Sequence, residues 1–415
     1  MRDFCNLIAL LVLLPVTAQA EIVRTGSVAI RLSGYIHADG VIVDQSSADE
    51  VNPSTGEPLN DNRFLIRRAV LRTDLAYGIV SGAAEIEANT VRSPTVRLIV
   101  AEASARWPSD QPGEPPLVMA SMGQFLIPFG FETQQRPIER LFLDASNMTR
   151  ALFPGFYDLG LRVQGGWKFI RYQAAIMNGE PLGERSFPGR DPNGSKDLIG
   201  RLGIDTDVIP GLRIQAGVSG LAGTGFHQGT PSTKDVLVWR DVNEDGIVQP
   251  SEIQAEAGTA GTPSQNFKRS AVGADLRVRA DVPWLGAFFG YFEAMWAVNL
   301  DRGFQIADPV AVGRDVRERG FVVGAAQEIT EWALVGVRWD RYDPDADAFD
   351  QQGASLVPKD SSVSTLAFMG SVQYPPFGRL ILEYDHNDNA LGRGSNGAPA
   401  RLANDTLTLR AQVGF

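Results

Sequence analysis

The sequence is poor in the residues that hydrolytic chemistry and covalently stapled folds rely on. It holds 1 cysteine and 3 histidines in 415 residues. The cysteine, Cys5, lies within the first twenty residues, so a chain trimmed there has no thiol and no disulfide. His37, His227 and His386 have no serine-nucleophile motif around them, and no enzyme is expected. No apolar run is long and clean enough for a membrane helix. The nearest candidate, 282–298, contains Pro283, Gly286, Gly290 and Glu293. Read with period two, its Phe288, Phe292, Ala294, Trp296 and Val298 share one face while Glu293 takes the other, which is the pattern of a strand. With 38 basic against 49 acidic residues, nucleic acid is excluded as a partner.

What is present begins with an export signal at 1–20. Arg2 starts it, Leu7 to Val16 form its apolar stretch, and Ala18-Gln19-Ala20 offers a small-residue cleavage site. The whole chain carries 43 glycines and 25 prolines, nearly all of them in 21–415, a composition of many short elements and turns. From Thr406 to Phe415 apolar and polar or glycine positions alternate strictly, which suits a strand with one face to lipid and one to a wet interior. The same alternation recurs. Val272, Ala274, Leu276 and Val278 oppose Asp275, Arg277 and Arg279, and Leu380, Leu382 and Tyr384 oppose Arg379, Glu383 and Asp385. The segments predict about sixteen strands: 27–38, 63–77, 79–89, 96–107, 116–125, 159–168, 170–178, 198–206, 211–221, 268–281, 286–299, 320–328, 332–342, 362–374, 378–387 and 405–415. Short turns alternate with long loops such as 39–62, 222–267, 343–361 and 388–404. The expected fold is all-β: one transmembrane antiparallel β-barrel with short periplasmic turns and long extracellular loops.

Two stretches stand out from this frame. Segment 126–158 mixes apolar and charged residues and is the third external connection, so it is expected to fold inward as a constriction loop. With the wall it supplies the candidate pore-lining residues Arg68, Arg72, Arg136, Arg140, Arg162, Arg201, Arg213, Arg277 and Arg279. Arginines on adjacent strands could replace an anion's hydration shell, or pair with inward carboxylates and stiffen the wall. Asp343, Asp345, Asp347 and Asp350 would make the external mouth negative. Within 222–267, the run from Asp241 to Glu252 has EF-hand loop spacing. Asp241, Asn243 and Asp245 take positions one, three and five, Ile247 offers its carbonyl, Gln249 binds directly or through water, and Glu252 is the bidentate ligand. The flanking runs are poor helix formers, so an isolated structural Ca²⁺ clip is expected rather than a paired sensor.

From Met122 to Glu132 (MGQFLIPFGFE) the sequence resembles the phosphate-selective porin O and P family. The resemblance continues at Ile138-Glu139-Arg140, Phe153-Pro154-Gly155, Asp158-Leu159-Gly160-Leu161, Ala175 to Gly179 and Phe64 to Leu71, over half the chain at low stringency. The chain departs from that family in carrying Phe156-Tyr157 ahead of Asp158 and no lysine in 126–158. The resemblance implies a sixteen-stranded barrel, commonly a homotrimer, with inward-folded loops lining the pore. The expected function is an outer-membrane porin for small hydrophilic solutes or ions in contact with outer-membrane lipid, with an anion or phosphate preference. The alternative is a calcium-ordered surface or adhesion protein for which a plugged barrel is only an anchor.

Overall fold

Period-two alternation becomes the two faces of one closed wall. The computed structural model describes residues 21–25, 27–45, 62–91, 93–107, 115–183, 191–374, 378–390 and 404–415; residues 1–20, where an export signal is expected, and parts of the first and last long loops lie outside them. In chain order the strands are β1 (Glu21–Thr25), β2 (Val28–Gln45), β3 (Arg63–Tyr77), β4 (Val80–Asn89), β5 (Thr95–Trp107), β6 (Val118–Leu126), β7 (Tyr157–Trp167), β8 (Ile170–Met177), β9 (Asp197–Ile209) and β10 (Leu212–His227). There follow β11 (Val236–Trp239), β12 (Ile253–Glu256), β13 (Gln265–Val282), β14 (Gly286–Val298), β15 (Arg317–Thr330), β16 (Ala333–Asp343), β17 (Phe349–Gln352), β18 (Ser355–Pro358), β19 (Val363–Tyr374), β20 (Gly378–Asn389) and β21 (Asn404–Gly414). Two short helices, α1 (Asn147–Leu152) and α2 (Pro309–Val312), lie in loops.

Each of sixteen strands pairs antiparallel with its neighbour, and β21 closes on β2 from Gln45↔Asn404 to Tyr35↔Gly414. No sheet edge is left among these sixteen, which removes the aggregation hazard of an open β-sheet. β1 continues the line of β21 along β2, with Glu21 opposite Leu32. β11–β12 and β17–β18 are separate hairpins in the long loops.

All sixteen expected strands are present, and several run further than the sequence pattern does. β2 reaches Gln45 rather than residue 38, because residues 39–45 find a partner in β21 despite Asp39 and Gly40. β10 and β13 likewise extend toward each other as far as His227↔Gln265. The fifth long loop is therefore 228–264 and the third is 127–156.

The wall is inverted relative to a soluble protein. Leu71, Ile86, Leu161, Leu202, Val272, Phe292, Val337 and Leu382 are exposed, while Asp39, Glu85, Glu87, Asp275, Glu293, Asp340, Glu383 and Arg410 are buried inside. Apolar outside and charged inside is the solution a lipid solvent demands. Around the short-turn end runs a ring of exposed aromatics: Tyr77, Trp107, Trp167, Phe169, Trp284, Trp332 and Tyr374. Such rings sit where hydrocarbon gives way to headgroups. Among the described residues no helix is long and apolar enough to cross a membrane.

Candidate functional site

The third loop does not run over the surface; its backbone is hydrogen-bonded to side chains of the inner wall. Gly130 N–H donates to Ser219 Oγ on β10 at 3.0 Å. Phe131 N–H and Glu132 N–H donate to the two oxygens of Glu293 on β14, at 3.0 and 2.9 Å. Leu143 N–H donates to Glu383 on β20 at 2.9 Å, and Asn147 donates to Asp340 on β16 from N at 3.1 Å and Nδ2 at 2.8 Å. In the other direction wall arginines reach loop carbonyls: Arg379 bonds the carbonyls of Arg140 and Leu141, Arg410 that of Leu143, and Arg338 that of Asp144. Inside the loop, Glu132 accepts from Ser146 N at 3.0 Å and Thr149 Oγ1 at 3.0 Å, and so ties the 3-10 turn Glu132–Gln134 to the start of α1. Ser146 caps α1 by accepting from Thr149 N–H.

Apolar packing completes the seat. Phe129, Met148, Leu152 and Phe153 pack on Met177, Ile199, Leu221, Met295 and Val322, while Phe142 and Leu143 pack on Leu334, Met369 and Ile381. Gly273 on β13 lets Phe129 in, since a Cβ there would stand 2.9 Å from its ring. The resemblance motifs serve this architecture. Gly155 sits at φ +81° against Gly183, and Asp158 Oδ2 accepts from Gly179 N–H at 2.7 Å, joining the third loop's exit to the fourth loop.

Two bulges shape the wall opposite. Where β2 meets β3 the register slips between His37 and Ala38, leaving Arg67 as an extra residue. The side-chain parity reverses there, so Leu65 above and Val70 below are both buried and two consecutive arginines, Arg67 and Arg68, face inward. Strict period two places Arg67 on the lipid face, so the sequence pattern missed it. A second slip on β5 adds Ile99, which is buried beside Val100 against Tyr157 and Ala145.

Of the nine arginines expected to line the pore, seven are paired with carboxylates. Arg68 binds Glu87; Arg72 binds Asp74 at 2.7 Å and Glu85 at 3.0 Å; Arg136 binds Glu85 at 3.2 Å. Arg162 binds Glu102 at 2.9 Å, Arg201 binds Asp275, Arg213 binds Asp205 at 2.8 Å and Arg279 binds Asp281 at 2.9 Å. Arg140 and Arg277 have no carboxylate partner among the described residues. Each instead lies on an aromatic ring of the inward loop: Arg140 is 4.6 Å from the Phe156 centroid and Arg277 is 4.3 Å from that of Phe131. Burial, with the charge of Arg68 beside it, pulls Arg140 down to about 10, so it stays cationic at neutral pH. Burial pushes the loop carboxyl of Asp144 up, but Arg67, Arg150, Arg410 and Arg68 outweigh it and hold the group well below the usual carboxylate range.

The negative mouth expected from sequence is offset by partners. Asp343 meets Arg319 at 3.3 Å, Asp345 meets Arg314 at 2.5 Å, Asp347 meets Arg317 at 2.5 Å and Asp350 meets Lys359 at 3.9 Å. The twelve-residue acidic loop lies between β11 and β12, so strands flank it as the composition suggested. Asp241 accepts from the Asp245 and Gly246 amides, and Asp245 from the Ile247 amide and Gln249 Nε2. Asn243 bonds Asp245 through its side chain, and Glu252 accepts from Trp239 Nε1 at 3.0 Å and Val242 N at 3.2 Å. Among the described residues no three acidic, histidine or cysteine side chains converge on one point that could hold a metal.

The closed sixteen-strand barrel with an inward third loop is the architecture of an outer-membrane β-barrel. No family model matches the chain and no curated protein is similar to it in sequence, so the family-level resemblance of the third-loop region finds no support there. Solved structures are similar in fold. The outer membrane channel DcaP of Acinetobacter baumannii matches with TM-score 0.55 at 11% identity, over 96% of this chain and 100% of that one. The anion-selective porin from Comamonas acidovorans matches with TM-score 0.53 at 11% identity, over 93% and 99%. The trimer form of OmpT, an outer membrane protein of Vibrio cholerae, matches with TM-score 0.53 at 8% identity, over 94% and 100%. At such identities the likeness speaks to the fold.

Proposed function

We propose that this protein is a passive outer-membrane channel for small hydrophilic solutes and ions, with a preference for anions. The observation that carries the reading is the third loop bonded to β10, β14, β16, β20 and β21 inside a closed wall, which narrows the barrel without need of a separate plug domain. Anion preference follows from Arg140 and Arg277, the two of the nine candidate lining arginines that have no carboxylate ion pair among the described residues. The paired mouth acids leave little negative field to oppose an incoming anion. Nothing in the lining favours phosphate over other anions. Export through 1–20, a homotrimer, and a Ca²⁺ ion ordering the 241–252 loop belong to the same proposal. For calcium the support is the spacing of Asp241, Asn243, Asp245, Ile247, Gln249 and Glu252, and the ion would have to draw Glu252 away from Trp239.

The test is single-channel conductance and reversal potential of purified protein in a planar bilayer under a salt gradient, with and without calcium. Open channels whose reversal potential has the anion-selective sign support the reading. A cation-selective sign removes the anion preference. Correctly folded protein that passes no current overturns the channel and leaves a barrel that anchors surface loops.

A further inference from the structure

Beneath the inward loop, toward the short-turn end, the wall from β6 to β10 and β13 forms a recess of about 320 Å³. Its walls hold Arg277, Tyr172, Gln134, Gln173, Gln215 and Asp205, and Phe131 backs Arg277 from above. Three features mark it off from the rest of the lining. Arg277 has no hydrogen-bond or ion-pair partner among the described residues, and its Nε is buried and unsatisfied. The Gln173 amide donates to Gln134 Oε1 at 2.7 Å, yet its own Oε1 is buried with no donor. The neighbouring arginines are spent: Arg201 on Asp275, Arg213 on Asp205 and Arg171 on the carbonyls of Lys168 and Ile170.

We propose that this recess is a binding subsite for a small hydroxylated monocarboxylate, held by Arg277 at the carboxylate end and by the glutamine amides along the hydroxylated body. The inference rests on the channel reading, for the recess is lined by inward-facing residues of the wall and by Gln134 of the inward loop. A guanidinium fixed against an aromatic ring presents its fork to a planar carboxylate with little rotamer entropy left to lose. The unfilled Gln173 acceptor calls for a donor, and a hydroxyl on the body of the solute supplies one where acetate or a halide does not. Tyr172 donates to the Leu117 carbonyl, so its oxygen is left to accept from a second hydroxyl. Of the lining arginines Arg171, Arg201 and Arg277, only Arg277 has no ion pair among the described residues, so the recess neutralises one negative charge, which sets dianions such as hydrogen phosphate and dicarboxylates at a disadvantage. At the roughly 30 Å³ that one water occupies, the space takes on the order of ten heavy atoms.

The experiment titrates the folded full-length chain in detergent by calorimetry with gluconate, acetate, sorbitol and inorganic phosphate, and in parallel measures gluconate block of the bilayer current. Gluconate is expected to bind about tenfold more tightly than acetate, which lacks the body, or sorbitol, which lacks the charge. Arg277→Gln is expected to weaken gluconate about tenfold or more, with Arg277→Lys intermediate. Gln173→Leu is expected to weaken gluconate and leave acetate unchanged, and it carries the test should Arg277→Gln fail to fold. Gluconate binding no better than acetate or phosphate, or indifferent to both Arg277→Gln and Gln173→Leu, overturns the subsite. Calorimetry needs no conduction, so binding without current would sink the channel alone, and current without gluconate preference would sink the subsite alone.

Discussion

Gly130 is the elbow at which the third loop turns against the wall, and a single methyl group there tests whether the loop is held as described. Its φ is +60°, and an added Cβ would lie 1.8 Å from Glu293 Oε1. Gly130→Ala therefore meets two costs. The left-handed backbone costs a non-glycine residue about 1–2 kcal/mol. The Glu293 carboxylate must also withdraw from the Phe131 and Glu132 amides, each bond being worth about 1–3 kcal/mol. Low values for the strain and one lost bond give roughly 2 kcal/mol, enough to raise the detached fraction of the elbow about thirtyfold. The bonds at Leu143 and Asn147 lie further along the loop and remain, so the elbow swings while the barrel and the rest of the loop hold. In a planar bilayer the variant should give a larger and noisier single-channel current than the parent, with the folded barrel band in cold detergent unchanged. A folded variant with the parent's conductance and noise would refute the tether.

Arg410 binds Asp39 through two contacts of 2.7 and 2.8 Å, both side chains being buried, while Arg67 keeps the same carboxylate paired at 3.0 Å, so Arg410→Ala should cost about 1–3 kcal/mol and lower the urea midpoint of unfolding; an unchanged midpoint would refute it. Asp144, held low by its arginines, contributes stability that is whole above the unfolded carboxyl value of about 3.9 and drains away as pH falls below it. Reversal potential should thus show no step from Asp144 between neutral pH and about 5, while Asp144→Asn at neutral pH should move it toward anions; an unchanged value would show that this carboxylate does not face the ion path. Trp239 donates to Glu252, so terbium in the 241–252 loop should luminesce on tryptophan excitation, yield to calcium and fall silent in Asp241→Asn. No sensitised emission from the parent would dismiss the calcium clip.

The wall was legible in the sequence because a membrane barrel writes its two solvents into alternate residues. Leu276 and Val278 face out and Asp275 and Arg277 face in, and nothing beyond period two is needed to see it. The short-turn aromatics from Tyr77 to Tyr374 carry a second signal that spacing alone could have found, since each stands at a strand end or beside a turn. The bulge at Arg67 was not legible. An extra residue leaves the local pattern of β3 intact on either side and shows only when the partner strand's register is known. Nor could the seat of the third loop be read off, because its ligands come from strands far away in sequence, 267 residues in the case of Arg410 and the Leu143 carbonyl.

The pairing pattern changes how selectivity should be reasoned about in such a wall. A census of inward charge gives near balance and predicts little, and seven of the nine candidate arginines are spent on carboxylates. Those pairs hold the wall rigid, and an ion passing between them meets dipoles more than net charge. The two exceptions are not scattered. Arg140 belongs to the inward loop and Arg277 touches it, each against a phenylalanine that the loop itself supplies. An aromatic face stabilises a guanidinium without neutralising it, as a carboxylate would, so the cation's field stays available to a passing solute. The loop that narrows the barrel thereby also decides which cations remain uncompensated. On this argument Phe131→Leu, which removes the ring but keeps the bulk, should weaken anion preference by freeing Arg277 to turn toward Asp205, with little change in conductance. An Arg277 that holds its selectivity without the ring would place the cause in the wall rather than in the loop.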